Sequence, residues 1–314
     1  MKERHLGSSG LRVSLLGLGC NNFGPRSDFE ASRKVAHRAL DLGITLFDTA
    51  DTYGAGRSEE YLGRILGDRR KDVIVATKFA GHVGGPSETV KSTSRRYIFS
   101  AVEASLKRLG TDWIDLYQVH RPDPHTPIEE TLRALDDLVR QGKVRYIGCS
   151  NFPAWRVVEA HWTARSHGLQ RFISCQDEYS LLARGIERDL MPAMDACGLD
   201  LLPYFPLASG MLTGKYRRGI PVPDNARLAY TRPLAQRYLT EANLDRVETL
   251  AQFCADHGRT LLEMAIAWLA QHSHVASVIT GATRPEQLDA NAAALAAELS
   301  PDEMADVGRL TGSS

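Results

Sequence analysis

The chain has 314 residues, 43% of them apolar, which is enough to bury one barrel-sized core or two ordinary ones. Its 38 basic and 38 acidic residues cancel, so no overall field exists to attract nucleic acid or an anionic membrane. The 5 cysteines form no CxxC pair, and neither an export signal nor a membrane-length apolar window is present, so we expect a cytoplasmic protein with no membrane partner.

Short apolar runs alternate along the chain with longer segments of helical periodicity. The runs that we predict to be strands are residues 15–18, 45–47, 73–76, 116–119, 144–147, 172–175, 201–204 and 275–279. The segments that we predict to be helices include residues 29–42, 58–66, 97–109, 127–140, 153–166 and 245–257. Alternation of this kind predicts a parallel sheet with helices packed outside it.

A repeat of eight strand–helix units, without a break in composition, is typical of a closed (β/α)8 TIM barrel rather than an open doubly wound sheet. We therefore expect a single domain over residues 1–314. Two segments lie outside the repeat: an N-terminal β-hairpin around residues 7–10, and a C-terminal helix over residues 300–311 that begins with a serine cap and a proline. Residues 205–235 are weakly periodic, and we expect a functional loop there.

Polar residues follow the predicted strands at the barrel end where active sites form. Asp48, Tyr53, Lys78 and His120 come from three neighbouring strand ends. Hydride transfer to a carbonyl carbon creates an oxyanion, and a phenol protonates it more readily when an ammonium favours the ionised form of the phenol. Tyr53 and Lys78 suit these roles, while Asp48 would hold Lys78 and His120 would orient the carbonyl oxygen. Each residue alone has an ordinary structural explanation, but the set indicates carbonyl chemistry.

Several longer motifs resemble those of the aldo-keto reductase family, and together they extend over nearly the whole chain. They are FDTADTYG at 47–54, Lys78, LYQVH at 116–120, GKVRYIGCSNF at 142–152, PLASGMLTGKY at 206–216 and GATRPEQL at 281–288. The resemblance implies an oxidoreductase that uses NADP (NADPH), with Asp48, Tyr53, Lys78 and His120 as its catalytic residues.

The resemblance also implies how the cofactor would bind. Ser150, Asn151 and Gln176 would contact the nicotinamide carboxamide, which needs paired donors and acceptors, and Tyr204 would stack on the nicotinamide ring. The pyrophosphate would be met by residues of the long loop, namely Leu207, Ser209, Gly210, Lys215 and Arg227.

The last predicted strand is followed by a second phosphate-binding pattern. Gly281, Thr283 and Arg284 precede a helix that opens at Pro285, where backbone N–H groups and the helix dipole attract phosphate. This pattern favours the 2'-phosphate of NADPH, with Gln287 and Asn291 turned toward the adenosine. Ala290 departs from the family pattern, which places a carboxylate or amide there.

Other signals point to the edges of the site. Residues 17–24 begin like a dinucleotide fingerprint, but we interpret them as the first barrel strand turning out beside the cofactor, with Asn21 and Asn22 either lining the site or forming a turn. By position alone, a substrate pocket is expected to use the loop 81–86 and the side chains of Phe23, Phe79, Arg121, Phe152 and Tyr179.

Three functions remain open from the sequence. The first is NADPH-dependent reduction of a small carbonyl substrate, an aldehyde or ketone. The second is a cofactor-bound regulatory or sensor subunit with slow turnover, and the third is a sugar or polyol dehydrogenase that uses the same site in the oxidative direction. No metal site is expected, because the one His-x-His pattern, at residues 272–274, precedes the last strand and so lies at the wrong barrel end.

Overall fold

The computed structural model describes residues 1–81, 92–224 and 226–312. The loop 81–86, which was expected to help form the substrate pocket, lies outside this range apart from Gly81. A short antiparallel hairpin opens the chain, formed by β1 (Glu3–His5) and β2 (Arg12–Ser14). The barrel strands follow as β3 (Leu16–Gly19), β4 (Leu46–Asp48), β5 (Ile74–Phe79), β6 (Ile114–Val119), β7 (Val144–Ser150), β8 (Phe172–Gln176), β9 (Asp200–Leu201) and β10 (Val278–Gly281).

All neighbouring barrel strands are parallel, in the order β10-β3-β4-β5-β6-β7-β8-β9. The two ends of this sheet meet through the segment that precedes β10. Leu201 donates its N–H to the carbonyl of His274 at 2.7 Å and accepts from the N–H of Ala276 at 3.0 Å. These bonds bring β9 beside the chain leading into β10, and they confirm the predicted (β/α)8 barrel and its N-terminal hairpin.

The helices surround this sheet. They are α1 (Phe29–Asp41), α2 (Arg57–Leu66), α3 (Arg95–Leu109), α4 (Ile128–Arg140), α5 (Ala154–His167), α6 (Leu190–Cys197), α7 (Arg227–Tyr230), α8 (Arg232–Tyr238), α9 (Glu241–Asp256), α10 (Leu261–Gln271), α11 (Pro285–Leu295) and α12 (Pro301–Thr311). Side-chain caps fix several of their starts. Ser300, for example, accepts the N–H of Glu303 while Glu303 accepts the N–H of Ser300, a capping box that begins the predicted C-terminal helix.

Three elements differ from their predicted extents. The seventh strand ends at Leu201 rather than at residue 204, and the last strand begins at Val278 because His274 and Ala276 hydrogen-bond to Leu201 instead. The expected loop at 205–235 contains a 3-10 turn (Ala208–Thr213), α7 and part of α8. Helix α10 was absent from the predicted helices, because most of its side chains are buried and an all-round apolar segment has no amphipathic period.

None of the helices in the described ranges is long and apolar enough to cross a membrane. Nor do those residues contain a group of three or more His, Cys, Asp and Glu side chains placed to hold a metal ion.

Candidate active site

The polar residues at the strand ends converge because parallel register places them at one mouth of the barrel. Asp48 ends β4 and pairs with Ala76 of β5, two residues before Lys78. Lys78 in turn pairs with Gln118 of β6, two residues before His120. Strand β7 ends at Ser150, opposite Gln176 at the end of β8. Adjacent strands therefore deliver these side chains to a shared space.

The ammonium of Lys78 lies at the centre of this space and is fully buried. Its Nζ donates to the Asp48 carboxylate and to the carbonyl of Thr49, both at 2.8 Å. It also lies 3.4 Å from the hydroxyl of Tyr53. The other side of the Asp48 carboxylate accepts Nε2 of Gln176 at 2.8 Å. Asp48 thus joins β4 to both β5 and β8 through one buried carboxylate.

Electrostatic interactions among Asp48, Lys78 and Tyr53, together with burial, keep Lys78 charged and Tyr53 protonated. Burial acts to lower the pKa of Lys78, but Asp48 and Tyr53 outweigh it and hold that pKa above its ordinary value. Burial raises the pKa of Tyr53, and Lys78 offsets only part of this rise. Lys78 therefore acts on Tyr53 in the predicted direction, but desolvation is larger, and the phenol keeps its proton at neutral pH.

His120 packs beside Tyr53 across the mouth of the barrel. The two rings meet edge to face with centroids 6.0 Å apart. Gly81 closes the other side, since a Cβ there would lie 2.6 Å from Cγ2 of Thr52 and 3.1 Å from Nδ1 of His120. A side chain at this position would push the imidazole or Thr52 out of place, so the absence of one helps to fix His120 against Tyr53.

Asn151 organises the neighbouring part of the site. Its backbone is left-handed, with φ +59°. Its Nδ2 donates to the carbonyl of His120 at 3.0 Å and to Oγ of Ser150 at 2.9 Å, and its Oδ1 accepts the hydroxyl of Tyr204 at 2.8 Å. Both N–H groups of the amide are therefore used, and the remaining lone pair of Oδ1 is an acceptor suited to the NH2 of a carboxamide.

These residues open onto a cavity of about 1020 Å³. Asp48, Tyr53 and His120 line it, whereas Lys78 lies behind them. Every residue predicted for the cofactor also lines it, namely Ser150, Asn151, Gln176, Tyr204, Leu207, Ser209, Gly210, Lys215, Arg227, Gly281, Thr283, Arg284, Gln287 and Asn291. One large cleft thus connects the Tyr53 hydroxyl with the start of α11.

The part of the cleft formed by the segment after β3, the long loop and the start of α11 is strongly cationic. Arg26, Lys215, Arg227 and Arg284 line it, and none of them forms an ion pair with a carboxylate of the described residues. Burial lowers the pKa of Lys215, and the positive charges of Arg26 and Arg284 lower it further. Like charges held together without acidic partners fit a ligand that carries several negative charges.

The backbone in this region also suits close approach of a phosphate. Ser209 and Gly210 have left-handed backbones, with φ +57° and +97°, and a Cβ on Gly210 would lie 2.8 Å from Cε of Lys215. Oγ of Ser209 is buried without a hydrogen-bond partner among the described residues. At the start of α11, Gln287 Oε1 accepts the N–H of Thr283 at 2.8 Å, which orders the turn before the helix. The residues present therefore fit a dinucleotide with phosphates at both places.

Known proteins identify the family. A model of the Aldo/keto reductase family matches residues 15–311. The chain belongs to this family. A probable voltage-gated potassium channel subunit beta of Arabidopsis thaliana is 40% identical over 298 residues, which cover 93% of this chain and 90% of that protein. L-glyceraldehyde 3-phosphate reductase of Escherichia coli (strain K12) is 37% identical over 307 residues, which cover 94% of this chain and 88% of that protein. A putative voltage-gated potassium channel subunit beta of Schizosaccharomyces pombe is 35% identical over 300 residues, which cover 93% of this chain and 87% of that protein.

These matches confirm the predicted family and show that the chain is an oxidoreductase. In this aldo/keto reductase, the expectations for the substrate pocket were mostly wrong. Phe23, Phe79, Phe152 and Tyr179 are buried in the core, where Phe79 stacks on Tyr117 and Phe152 packs on Phe172. Arg121 does line the cavity, as do Asn21 and Asn22.

Two basic residues that line the cleft, Arg26 and Arg237, were not predicted from the sequence. Arg26 follows the first barrel strand after Gly24 and Pro25, so inspection of every strand end for basic residues would have found it. Arg237 lies on α8, inside a segment whose helical structure the weak periodicity did not reveal.

The reductase carries one buried carboxyl group without an ion-pair partner near this site. Asp177 follows Gln176 and is 7% exposed, and one of its oxygens has no hydrogen-bond partner among the described residues. Burial raises the pKa of Asp177 to about 7, although the N–H of Asn151 opposes this rise. The folded protein therefore binds a proton that the unfolded chain, with a carboxyl pKa of about 3.9, releases earlier.

We predict that Asp177→Asn makes the protein more stable, and more so at alkaline pH. Between about pH 4 and 7 the unfolded chain binds fewer protons at this site, so wild-type stability falls as pH rises through that window. Asparagine removes this loss, which amounts to roughly 3–4 kcal/mol at pH 8 and about 1–2 kcal/mol at pH 5. Urea unfolding at both pH values measures it, with the exposed Asp68→Asn as control. An equal gain at the two pH values would contradict the proposed burial penalty.

Proposed function

We propose that this protein is an NADPH-dependent reductase of aldehydes or ketones in which Tyr53 donates the proton. The observation that carries the proposal is the Tyr53 hydroxyl, 3.4 Å from a buried ammonium that is itself ion-paired with Asp48. A phenol in that position faces the cleft, and its conjugate base would lie against a fixed positive charge.

A nicotinamide held near Ser150, Asn151 and Gln176 would supply a hydride to the carbonyl carbon of the substrate. His120 and Tyr53 orient the carbonyl oxygen between their side chains. As negative charge develops on that oxygen, the Tyr53 hydroxyl transfers its proton to it, and the Lys78 ammonium stabilises the phenolate that remains. Asp48 keeps Lys78 charged and in place during this transfer. Solvent then returns a proton to Tyr53.

The cofactor preference rests on the cationic part of the cleft. Lys215, Arg227 and Arg26 would meet the pyrophosphate, and Arg284 at the start of α11 would meet the 2'-phosphate that distinguishes NADPH from NADH. Burial lowers the pKa of Lys215 most, and repulsion by Arg26 and Arg284 lowers it further; bound phosphates would relieve that repulsion. NADPH, with its additional phosphate, benefits more from this relief than NADH.

A regulatory role is the second candidate, because two of the relatives are named as channel subunits. The same residues would serve a protein that holds its cofactor and turns over slowly. The same site would also oxidise an alcohol if the cofactor were supplied as NADP.

The 5 cysteines are free thiols, and the Sγ atoms of Cys149 and Cys175 lie only 3.6 Å apart without a disulfide. This supports a reducing cytoplasm as the place of action.

We predict that Tyr53→Phe lowers kcat for carbonyl reduction by roughly 10²–10⁴-fold, because the proton donor is lost. The dissociation constant of NADPH should change less than about twofold, since the phenol does not contact the phosphates. Steady-state rates with 4-nitrobenzaldehyde, together with quenching of protein fluorescence by NADPH, measure the two quantities. Tyr146→Phe, which removes a hydroxyl near the N-terminal hairpin, is the matched control. An undiminished kcat in Tyr53→Phe would exclude Tyr53 as the donor.

We predict that Arg284→Gln weakens NADPH binding by roughly 10–100-fold and leaves NADH binding nearly unchanged, because a charge-assisted bond to the 2'-phosphate is lost. Titration calorimetry with both cofactors gives the ratio. Arg217→Gln makes the same charge change on an exposed residue outside the cleft, and it should leave the ratio as in wild type. Equal losses of affinity for NADPH and NADH would show that Arg284 does not bind the 2'-phosphate.

A further inference from the structure

One cation of the cleft is separate from those that face the phosphates. Arg121 directly follows His120 at the end of β6, is exposed, and lines the cavity. No carboxylate of the described residues lies within ion-pair distance of it. The other arginine in this part of the cleft, Arg237, pairs with Glu178 at 2.5 Å, so its charge is already neutralised. Among the described residues, Arg121 therefore contributes a positive charge without a carboxylate partner to the cavity that His120 also lines.

The sheet order places Arg121 away from the 2'-phosphate. Strand β6 is four strands from β10 in an eight-stranded barrel, so the residues after these two strands face each other across the mouth. Arg284 follows β10 and begins α11, whereas Arg121 follows β6. The guanidinium of Arg121 therefore starts from the opposite side of the mouth from the 2'-phosphate site proposed at Arg284.

The immediate neighbours of Arg121 belong to the reacting end of the cleft. The carbonyl of His120, in the preceding residue, accepts the amide of Asn151, and Asn151 in turn accepts the hydroxyl of Tyr204. Arg121 and Arg237 also act to lower the pKa of Tyr204, although burial, Glu178 and Asp177 raise it to about 12. Arg121 is thus close enough to Tyr204 to affect its ionisation, and it lies where the substrate rather than the adenosine would sit.

We propose that Arg121 binds an anionic group, a carboxylate or a phosphate, on the carbonyl substrate. The inference rests on the proposed function, because it takes the reacting carbonyl to lie between Tyr53 and His120. A guanidinium is suited to this task, since its planar fork donates two parallel hydrogen bonds to either oxyanion. The enzyme then prefers carbonyl compounds that carry such a group close to the carbon that accepts the hydride.

Matched pairs of substrates test this preference with NADPH as the reductant. For the carboxylate, 4-carboxybenzaldehyde is compared with 4-nitrobenzaldehyde; for the phosphate, glyceraldehyde 3-phosphate is compared with glyceraldehyde. The measured quantity is the ratio of kcat/KM for the anionic compound to that for its neutral partner. In Arg121→Met this ratio should fall roughly 10–100-fold for at least one pair, mainly through KM, and Arg121→Lys should restore part of it.

The controls separate this inference from the proposed function. Arg217→Met removes an exposed positive charge outside the cleft and should leave both ratios at their wild-type values. A reduced ratio in the phosphate pair alone identifies phosphate as the group, and one in the carboxylate pair alone identifies a carboxylate. Unchanged ratios in Arg121→Met, in an enzyme that still reduces the neutral aldehydes, would overturn the inference and leave the proposed function intact. A wild-type protein that reduces none of the four compounds would count against both.

Discussion

The ion pair between Lys78 and Asp48 is the interaction on which the rest of the site depends. Burying an ammonium is costly unless it is paired and fully hydrogen-bonded, and here the carboxylate of Asp48 and the carbonyl of Thr49 meet it at 2.8 Å. Because the two partners belong to neighbouring strands, the pair forms only when the barrel register is correct. The fold therefore supplies a fixed positive charge beside the Tyr53 hydroxyl, at the mouth of the cleft.

The distribution of charge explains how one cleft serves two ligands. Around Tyr53 the carboxylate of Asp48 is neutralised by Lys78, so this pair adds no net charge behind the Tyr53 hydroxyl and the His120 imidazole. Farther along, cations accumulate without acidic partners in the described chain. The proposed polyanionic cofactor would satisfy them, and its binding free energy could then position the reacting ring. Arg121 stands apart from this group, on the opposite side of the mouth.

Much of this arrangement could be predicted because it follows from strand order. Residues after successive apolar runs had to meet if the sheet was a parallel barrel, and Asp48, Lys78 and His120 do so. Helix α10 had no recognisable hydrophobic period because it is buried on nearly every side. The prediction that Phe79 and Phe152 line a substrate pocket was wrong, because aromatic side chains at strand ends pack into the core just as readily. The sequence also could not predict whether burial or Lys78 has the larger effect on the pKa of Tyr53, since the extent of desolvation depends on the packed structure.

The charge on Lys78 can be measured directly by NMR of its side-chain Nζ, assigned by comparison with Lys78→Met. Because Asp48 and Tyr53 hold the pKa of Lys78 above its ordinary value, the wild-type protein should show an ammonium from pH 6 to pH 9. In Asp48→Asn, burial without a counter-ion should shift the titration of Lys78 to lower pH. A neutral amine in the wild-type protein at pH 7 would contradict this description of the site, because Tyr53 would then have no cation to stabilise its phenolate.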